Sequence, residues 1–328
     1  MANISDVAKL ANVSVATVSR YLNNSGYVGK KSRAQIEEAI KQLNYTPSEV
    51  ARTLTTKQSD LIGLIIPDIN NPFFPELARA VEDTAFRHGY TVILCNSDED
   101  IEKEQHYIKT LSKKYVAGLI LTTILDQDNY SNNLSIPIVA LDRPLNVNIP
   151  TVTTDNEKGA KIGTQYLIEN GVSNILCISG PKSVTSTNLR LKGFFKAVEG
   201  NNVEIHMVES KHDFQTAEQL TYETLQAHPE IDGIFAFSDA SAIGALKAAH
   251  RLGLKVPEQL QIVGFDGIQM GNVVTPSLTT VAQDIYKLGE RATQILIEQI
   301  EGKSTNSFSE QIEPQLLIRE TTKERGPL

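Results

Sequence analysis

At 328 residues the chain is long enough for two or more domains, each with its own hydrophobic core. Hydrophobic residues at 41% and charged residues at 21% are ordinary globular proportions, and no apolar run approaches the roughly 18 residues of a membrane helix. The net charge of −8 argues against nucleic acid only as an average. Residues 1 to 59 hold eight Lys/Arg against four acids, a net of +4, which leaves −12 for the remainder. A basic head on an acidic body is the asymmetry expected when one small domain meets phosphate.

Met1 to Asp6 has neither a basic region nor an apolar run, so no signal peptide is expected and the protein is placed in the cytoplasm. Cys95 and Cys177 sit inside apolar runs and read as buried, reduced thiols. No cysteine or histidine spacing suggests a metal site, and no cofactor is expected.

Ser5 is positioned to cap a helix from Asp6 to about Ala11, and Ser14 a second from Val15 to about Leu22. Asn23 to Gly26 breaks the chain, and a third helix runs from about Lys31 to Leu43 with Ile36, Ala39, Ile40 and Leu43 on one face. Two short helices joined by a tight turn and braced by a third describe a helix-turn-helix, or equally a generic three-helix bundle with a solvated basic face. In the first reading Val15, Ala16, Thr17 and Arg20 face base edges or phosphates. Ser14 and Ser19 suit phosphate.

After Ser59 the pattern changes to strand–helix alternation over about 270 residues, too long for one compact sheet, so two doubly wound α/β lobes are expected. The strands are Leu61–Ile66, Thr91–Cys95, Ala117–Thr122, Pro137–Leu141, Asn174–Ser179, Val203–Val208, Gly233–Phe237 and Gln261–Gly264. The helices are Pro75–His88, Ile101–Lys113, Lys158–Glu169, Asn188–Glu199, Gln215–Ala227, Ala240–Leu252 and Ile285–Glu301. Ligands in such folds bind beyond the carboxyl ends of strands. Asn71, Phe73 and Phe74 fall on the loop after the first strand. Asp142 and Arg143 follow the fourth, Ser238 and Asp239 the seventh, Phe265 and Asp266 the eighth. Arg190 begins a helix, and Gln283 follows Thr279–Val281. Aromatics for sugar faces, with acids, amides and guanidinium for hydroxyls, make a carbohydrate-binding set, although each element alone is weak.

The run Asp6-Val7-Ala8-x-x-Ala11-x-Val13-Ser14-x-x-Thr17-Val18-Ser19-Arg20 resembles the N-terminal signature of the lactose-repressor family. Leu43-Asn44-Tyr45-x-Pro47-Ser48-x-Val50-Ala51-Arg52-x-Leu54 resembles the segment that follows it there. Gly29 departs, since relatives often place a serine cap before the third helix. The resemblance spans the whole chain. It implies a helix-turn-helix DNA-binding domain over residues 1–45, a hinge helix or linker over 46–59, and an effector-binding and dimerisation domain of two periplasmic-binding-protein-like α/β lobes over 60–328. It adds Tyr45, Ala51, Arg52 and Leu54 to the DNA-contacting set, with Leu54 as a minor-groove wedge. Within the group the residues most resemble the ribose-binding type, with a sucrose type second. That likeness gives Asn71, Phe73, Phe74, Asp142, Arg143, Arg190, Phe214, Phe265, Asp266 and Gln283 as sugar contacts, and Ser238 where the ribose type has Asn.

The implied protein is a dimeric, non-enzymatic transcriptional repressor of a sugar operon. Its partners are double-stranded operator DNA and a small sugar, with no membrane. No leucine heptad follows Thr321, so a dimer rather than a tetramer is expected. Other readings are a transport-linked sugar-binding protein, an enzyme using Asp239 and Asp266 as an acid–base pair, and a global regulator with a phosphorylated carrier protein as corepressor. The sequence lacks a Gly-rich phosphate loop, a nucleophile elbow and a metal-ligand cluster, which counts against the enzyme.

Overall fold

The computed structural model describes residues 2–23, 25–46, 59–122, 136–143, 149–303 and 309–323. The chain separates into two compact units, Met1–Ser59 and Asp60–Leu328.

In the first unit, helices α1 (Ile4–Leu10), α2 (Val15–Leu22) and α3 (Lys30–Leu43) pack around Val7, Ala8, Ala11, Val18, Val28, Ile36 and Ala39. The cap of α1 is Asn3, not Ser5. Asn3 Oδ1 accepts from the Ser5 and Asp6 amides at 2.8 and 3.1 Å, and Asp6 Oδ2 accepts from the Asn3 amide at 2.9 Å. This reciprocal box satisfies three free donors, which a cap at Ser5, two residues later, could not do. Ser14 caps α2 as expected, accepting from the Thr17 amide at 3.1 Å. Gly29 begins α3 without a side-chain cap, and Asn44 ends it in the left-handed conformation. The hinge positions Ala51, Arg52 and Leu54 lie outside the described residues.

The second unit holds two six-stranded sheets. The first lobe contains β1 (Leu61–Ile66), β2 (Thr91–Asn96), β3 (Gly118–Leu121), β4 (Ile138–Leu141) and β5 (Thr151–Thr154), with helices α4 (Phe73–Arg87) and α5 (Ile101–Lys113). The second contains β6 (Asn174–Ser179), β7 (Glu204–Glu209), β8 (Gly233–Ala236), β9 (Gln261–Asp266) and β10 (Thr279–Ala282), with α6 (Asn156–Glu169), α7 (Thr185–Val198), α8 (Phe214–Ala227), α9 (Asp239–Arg251) and the short α10 (Met270–Val273). Then α11 (Ile285–Ile300) returns to pack on α4 and the first sheet. Next β11 (Ser309–Ile312) joins that sheet beside β5, and β12 (Gln315–Leu317) joins the second sheet antiparallel to β10.

The sheet orders, β11-β5-β4-β3-β1-β2 and β12-β10-β9-β8-β6-β7, repeat one doubly wound plan. Central strands are apolar along their length because helices cover both faces, as in β1 with Ile62, Leu64, Ile65 and Ile66 all buried. Among the described residues the chain therefore passes between lobes three times, after β5, β10 and β11. Two sequential domains were expected, and the returning strands were not. Thr151–Thr154 and Ser309–Ile312 are short and polar and carry no apolar signal, yet every residue of β5 is buried.

Candidate functional site

On the head, Val18 points into the core while Val15, Ala16 and Arg20 are exposed, and Thr17 and Ser19 are half-buried. The face of α2 left free is thus the one the helix-turn-helix reading assigns to DNA. Its first turn is fixed by Ser14, whose Oγ also lies 2.8 Å from Thr17 Oγ1. Tyr21 Oη donates to Glu37 Oε1 at 2.9 Å, tying α2 to α3. Tyr45 is half-buried against the head core, so its ring is held by packing.

In the second unit a cavity of about 340 Å³ lies between the lobes, at the low end of the roughly 300–1,000 Å³ typical of small-molecule sites. Its walls come from the carboxyl ends of strands. From the first lobe come Asn71, Phe73 and Phe74 after β1, Asp98 and Glu99 after β2, and Asp142 and Arg143 after β4. From the second come Arg190 on α7, Lys211 to Asp213 after β7, Ser238 after β8 and Asp266 at the end of β9. Gln283 lies on the second passage between lobes, and its Nε2 donates to Asp266 Oδ1 at 2.8 Å.

Five of the eight non-glycine residues with positive φ among the described residues line this cavity: Asp98, Glu99, Asp142, His212 and Asp266. Such backbone costs energy that the surrounding fold must offset, and it gathers where side chains have to be aimed. Several buried polar atoms here have no hydrogen-bond partner: Asp142 Oδ1, Arg143 Nε and Nη1, and Gln283 Oε1. Arg143 Nη2 bonds Glu99 Oε1 at 3.1 Å, so one edge of its guanidinium is held and the other is offered. Buried donors and acceptors left open cost about 1–3 kcal/mol each, and a ligand with complementary hydroxyls recovers that cost.

Arg190 is the electrostatic centre. Its Nε donates to Asn156 Oδ1 at 2.7 Å, its Nη1 donates to the Phe237 carbonyl and lies 3.5 Å from Asp266 Oδ1, and its guanidinium stacks 3.7 Å from the Phe265 ring. Burial pulls this guanidinium down from its usual range, against Asp266, Asp142 and Asp239, which hold it up. Burial pushes Asp142 up, with Arg143 and Arg190 opposing, and pushes Asp266 up to about 7 despite Arg190 and Gln283. Asp239 is also raised, by burial and by Asp266, although Thr280 Oγ1 and the amides of Gly267 and Ile268 donate to it at 2.6, 2.8 and 2.9 Å. His212 is brought down to about 3 by burial and then by the two arginines, so its imidazole is neutral. These groups can grip a polyol by paired donors and acceptors. Asp239 is committed to closing the β9 loop, which removes it from the acid–base pair considered above.

Nine of the eleven sugar contacts expected from sequence line the cavity. Phe265 does not, because it is fully buried beneath Arg190, and Phe214 does not, because it opens α8 beside the lining residue Asp213. Phe73 and Phe74 sit in the first turn of α4, not on a loop, and are also core. Ser238 Oγ is occupied as the cap of α9, accepting from the Ser241 amide at 3.1 Å and donating to Ser241 Oγ at 2.9 Å. Asp98, Glu99, Lys211, His212 and Asp213 were missed, although the strand-end rule applied to β2 and β7 would have found them.

Residues 59–321 match the model described as periplasmic binding proteins and sugar binding domain of LacI family, and residues 3–48 match that of bacterial regulatory proteins, lacI family. The chain belongs to the LacI family of bacterial regulators. A relative in Halalkalibacterium halodurans, named ribose operon repressor, is 53% identical over 323 residues, 98% of each chain. A family structure from Alkaliphilus metalliredigens QYMF, complexed with D-xylulofuranose, is 37% identical with a TM-score of 0.75, covering 81% of this chain and all of that one. The lac repressor dimer bound to operator and the anti-inducer ONPF is 27% identical with a TM-score of 0.87, covering 98% of this chain and 99% of that one. The family assignment thus carries a helical DNA-binding head joined to a two-lobed sugar-binding domain. Among the described residues no helix is long and apolar enough to cross a membrane.

Proposed function

We propose that the chain represses a sugar-utilisation operon and leaves a palindromic operator when a small neutral sugar, ribose first, enters the cleft. The observation that carries this is the cavity itself: open guanidinium and carboxylate atoms on Asp142 and Arg143 face Arg190 and Asp266 across the two lobes. Six acids against three Lys/Arg line it, which opposes a phosphorylated ligand and suits an uncharged polyol. The ribose operon repressor at 53% identity supports ribose. The D-xylulofuranose complex supports a second reading, a ketopentose, in the same cavity.

Two copies pair through their effector domains and present two heads to two half-sites. Val15, Ala16, Thr17 and Arg20 read the major groove, with Ser14 and Ser19 on phosphate. Tyr45, Ala51 and Arg52 extend the contact along the backbone, and Leu54 enters the minor groove. A sugar bridging both lobes stabilises one arrangement of them and operator DNA the other, so each weakens the other by the same factor, typically 5–150-fold. A thermal-shift panel of ribose, xylulose and sucrose against the full chain tests the effector. Ribose is expected to raise the midpoint most, by mass action on the folded state. A midpoint indifferent to all three sugars removes the sugar reading.

A further inference from the structure

We infer that His206, His228 and Glu230 form a transition-metal site of the zinc class on the second lobe, away from the sugar cleft. His206 is the third residue of β7, the edge strand of its sheet, while His228 ends α8 and Glu230 lies in the turn before β8. The two imidazole centroids are 4.3 Å apart. Glu230 Oε1 lies 3.0 Å from His228 Nδ1 and 3.7 Å from His206 Nε2, and one ligand atom from each residue falls within 4.8 Å of the others. A tetrahedral zinc bound at about 2.0–2.1 Å places its ligands about 3.3 Å apart, so small rotations of the half-exposed His228 and Glu230 side chains toward the largely buried His206 complete the triangle.

A bare ion pair accounts for this cluster less well. His206 Nε2 is buried and has no hydrogen-bond partner, and its side chain is only 13% exposed. Two imidazoles this close repel one another when both are protonated, and a metal requires both neutral. Two imidazoles and a carboxylate suit zinc, nickel or copper and do not suit magnesium. Glu204 Oε1, 4.0 Å from His206 Nε2, or a water supplies the fourth ligand. The spacing 206, 228, 230 carries no sequence signature, because β7 and the end of α8 meet only in the folded lobe. Bound metal would pin an edge strand to the α8–β8 connection and so act as a staple of this lobe.

The test uses the full chain without a histidine tag. Equilibrium dialysis against micromolar ZnCl2 is expected to give one bound zinc per chain, and ZnCl2 but not MgCl2 should raise the thermal midpoint. The H206Q/H228Q variant should keep the metal-free midpoint and lose both the zinc and the shift. H228Q alone, altering a half-exposed residue, should weaken zinc binding at least tenfold and covers the case in which the double variant misfolds. Failure of the wild-type chain to bind zinc, or retention of full binding by well-folded H228Q, overturns the site.

Discussion

Asp266→Asn separates the stability of the cleft from its use. The carboxyl is 4% exposed and pushed up to about 7, chiefly by desolvation. In an unfolded chain an aspartate titrates near about 3.9. The folded state therefore holds this proton more tightly. The stabilisation it brings is fully present below about pH 4 and is lost as pH rises through about 7. About three pH units at 1.36 kcal/mol each set a ceiling of about 4 kcal/mol for what the ionised group costs above neutrality. Asparagine keeps the acceptor that Gln283 Nε2 uses at 2.8 Å, and the attraction of Arg190 for the ionised carboxylate is already counted in the value of about 7; water reaching the ionised group brings the gain below that ceiling. We expect D266N to exceed the wild type by about 1–3 kcal/mol near pH 8 and to come within about 0.5 kcal/mol of it near pH 4, read from urea unfolding at both values. Ribose affinity should move the other way, falling about 10- to 100-fold, because a hydrogen bond to a charged acceptor contributes about 1.5–3 kcal/mol. A D266N protein equally destabilised at both pH values would refute the electrostatic reading of the cleft.

Arg190→Met leaves Asp266 buried without its cation and Asp142 with Arg143 alone, and should cost about 3–5 kcal/mol in urea unfolding, with D266N in the same chain recovering part of it. No recovery in the double variant would mean that packing on Phe265, not charge, is what Arg190 supplies. Gly180→Ala would place a Cβ 1.9 Å from His212 Nε2 and 2.7 Å from Thr187 Oγ1, so it should displace the imidazole and reduce ribose binding by calorimetry while operator binding persists. Arg20→Ala should weaken operator binding by about 1–3 kcal/mol in fluorescence anisotropy and leave the ribose titration intact; an unchanged operator affinity removes Arg20 from the interface.

The helices of the head and the central strands were legible because each is written in one periodicity. Ser14 and Gly29 were read correctly at the starts of α2 and α3. The Ser5 reading failed because Asn3, two residues earlier, caps reciprocally with Asp6, which a search for single capping residues does not weigh. In the effector unit the strand-end rule collected Asp142, Arg143, Ser238 and Asp266. It could not tell Phe265, which supports Arg190 from below, from an aromatic facing the ligand. The interleaving of the lobes was invisible because β5 and β11 are short and largely polar, β12 has only three residues, and their pairing is decided at long range. The amide of Gln283 marks it as a sugar contact in the sequence, whereas its place on a passage between lobes follows only from the topology.

The coupling of cleft to duplex is tested most directly on a palindromic site selected by the full chain from a random duplex library. The operator affinity is measured at fixed salt, with and without saturating ribose. Ribose should weaken it at least fivefold, and the same duplex should weaken ribose binding by an equal factor. An operator affinity that ribose leaves unchanged, in a chain shown to bind ribose, would contradict induction through this cleft.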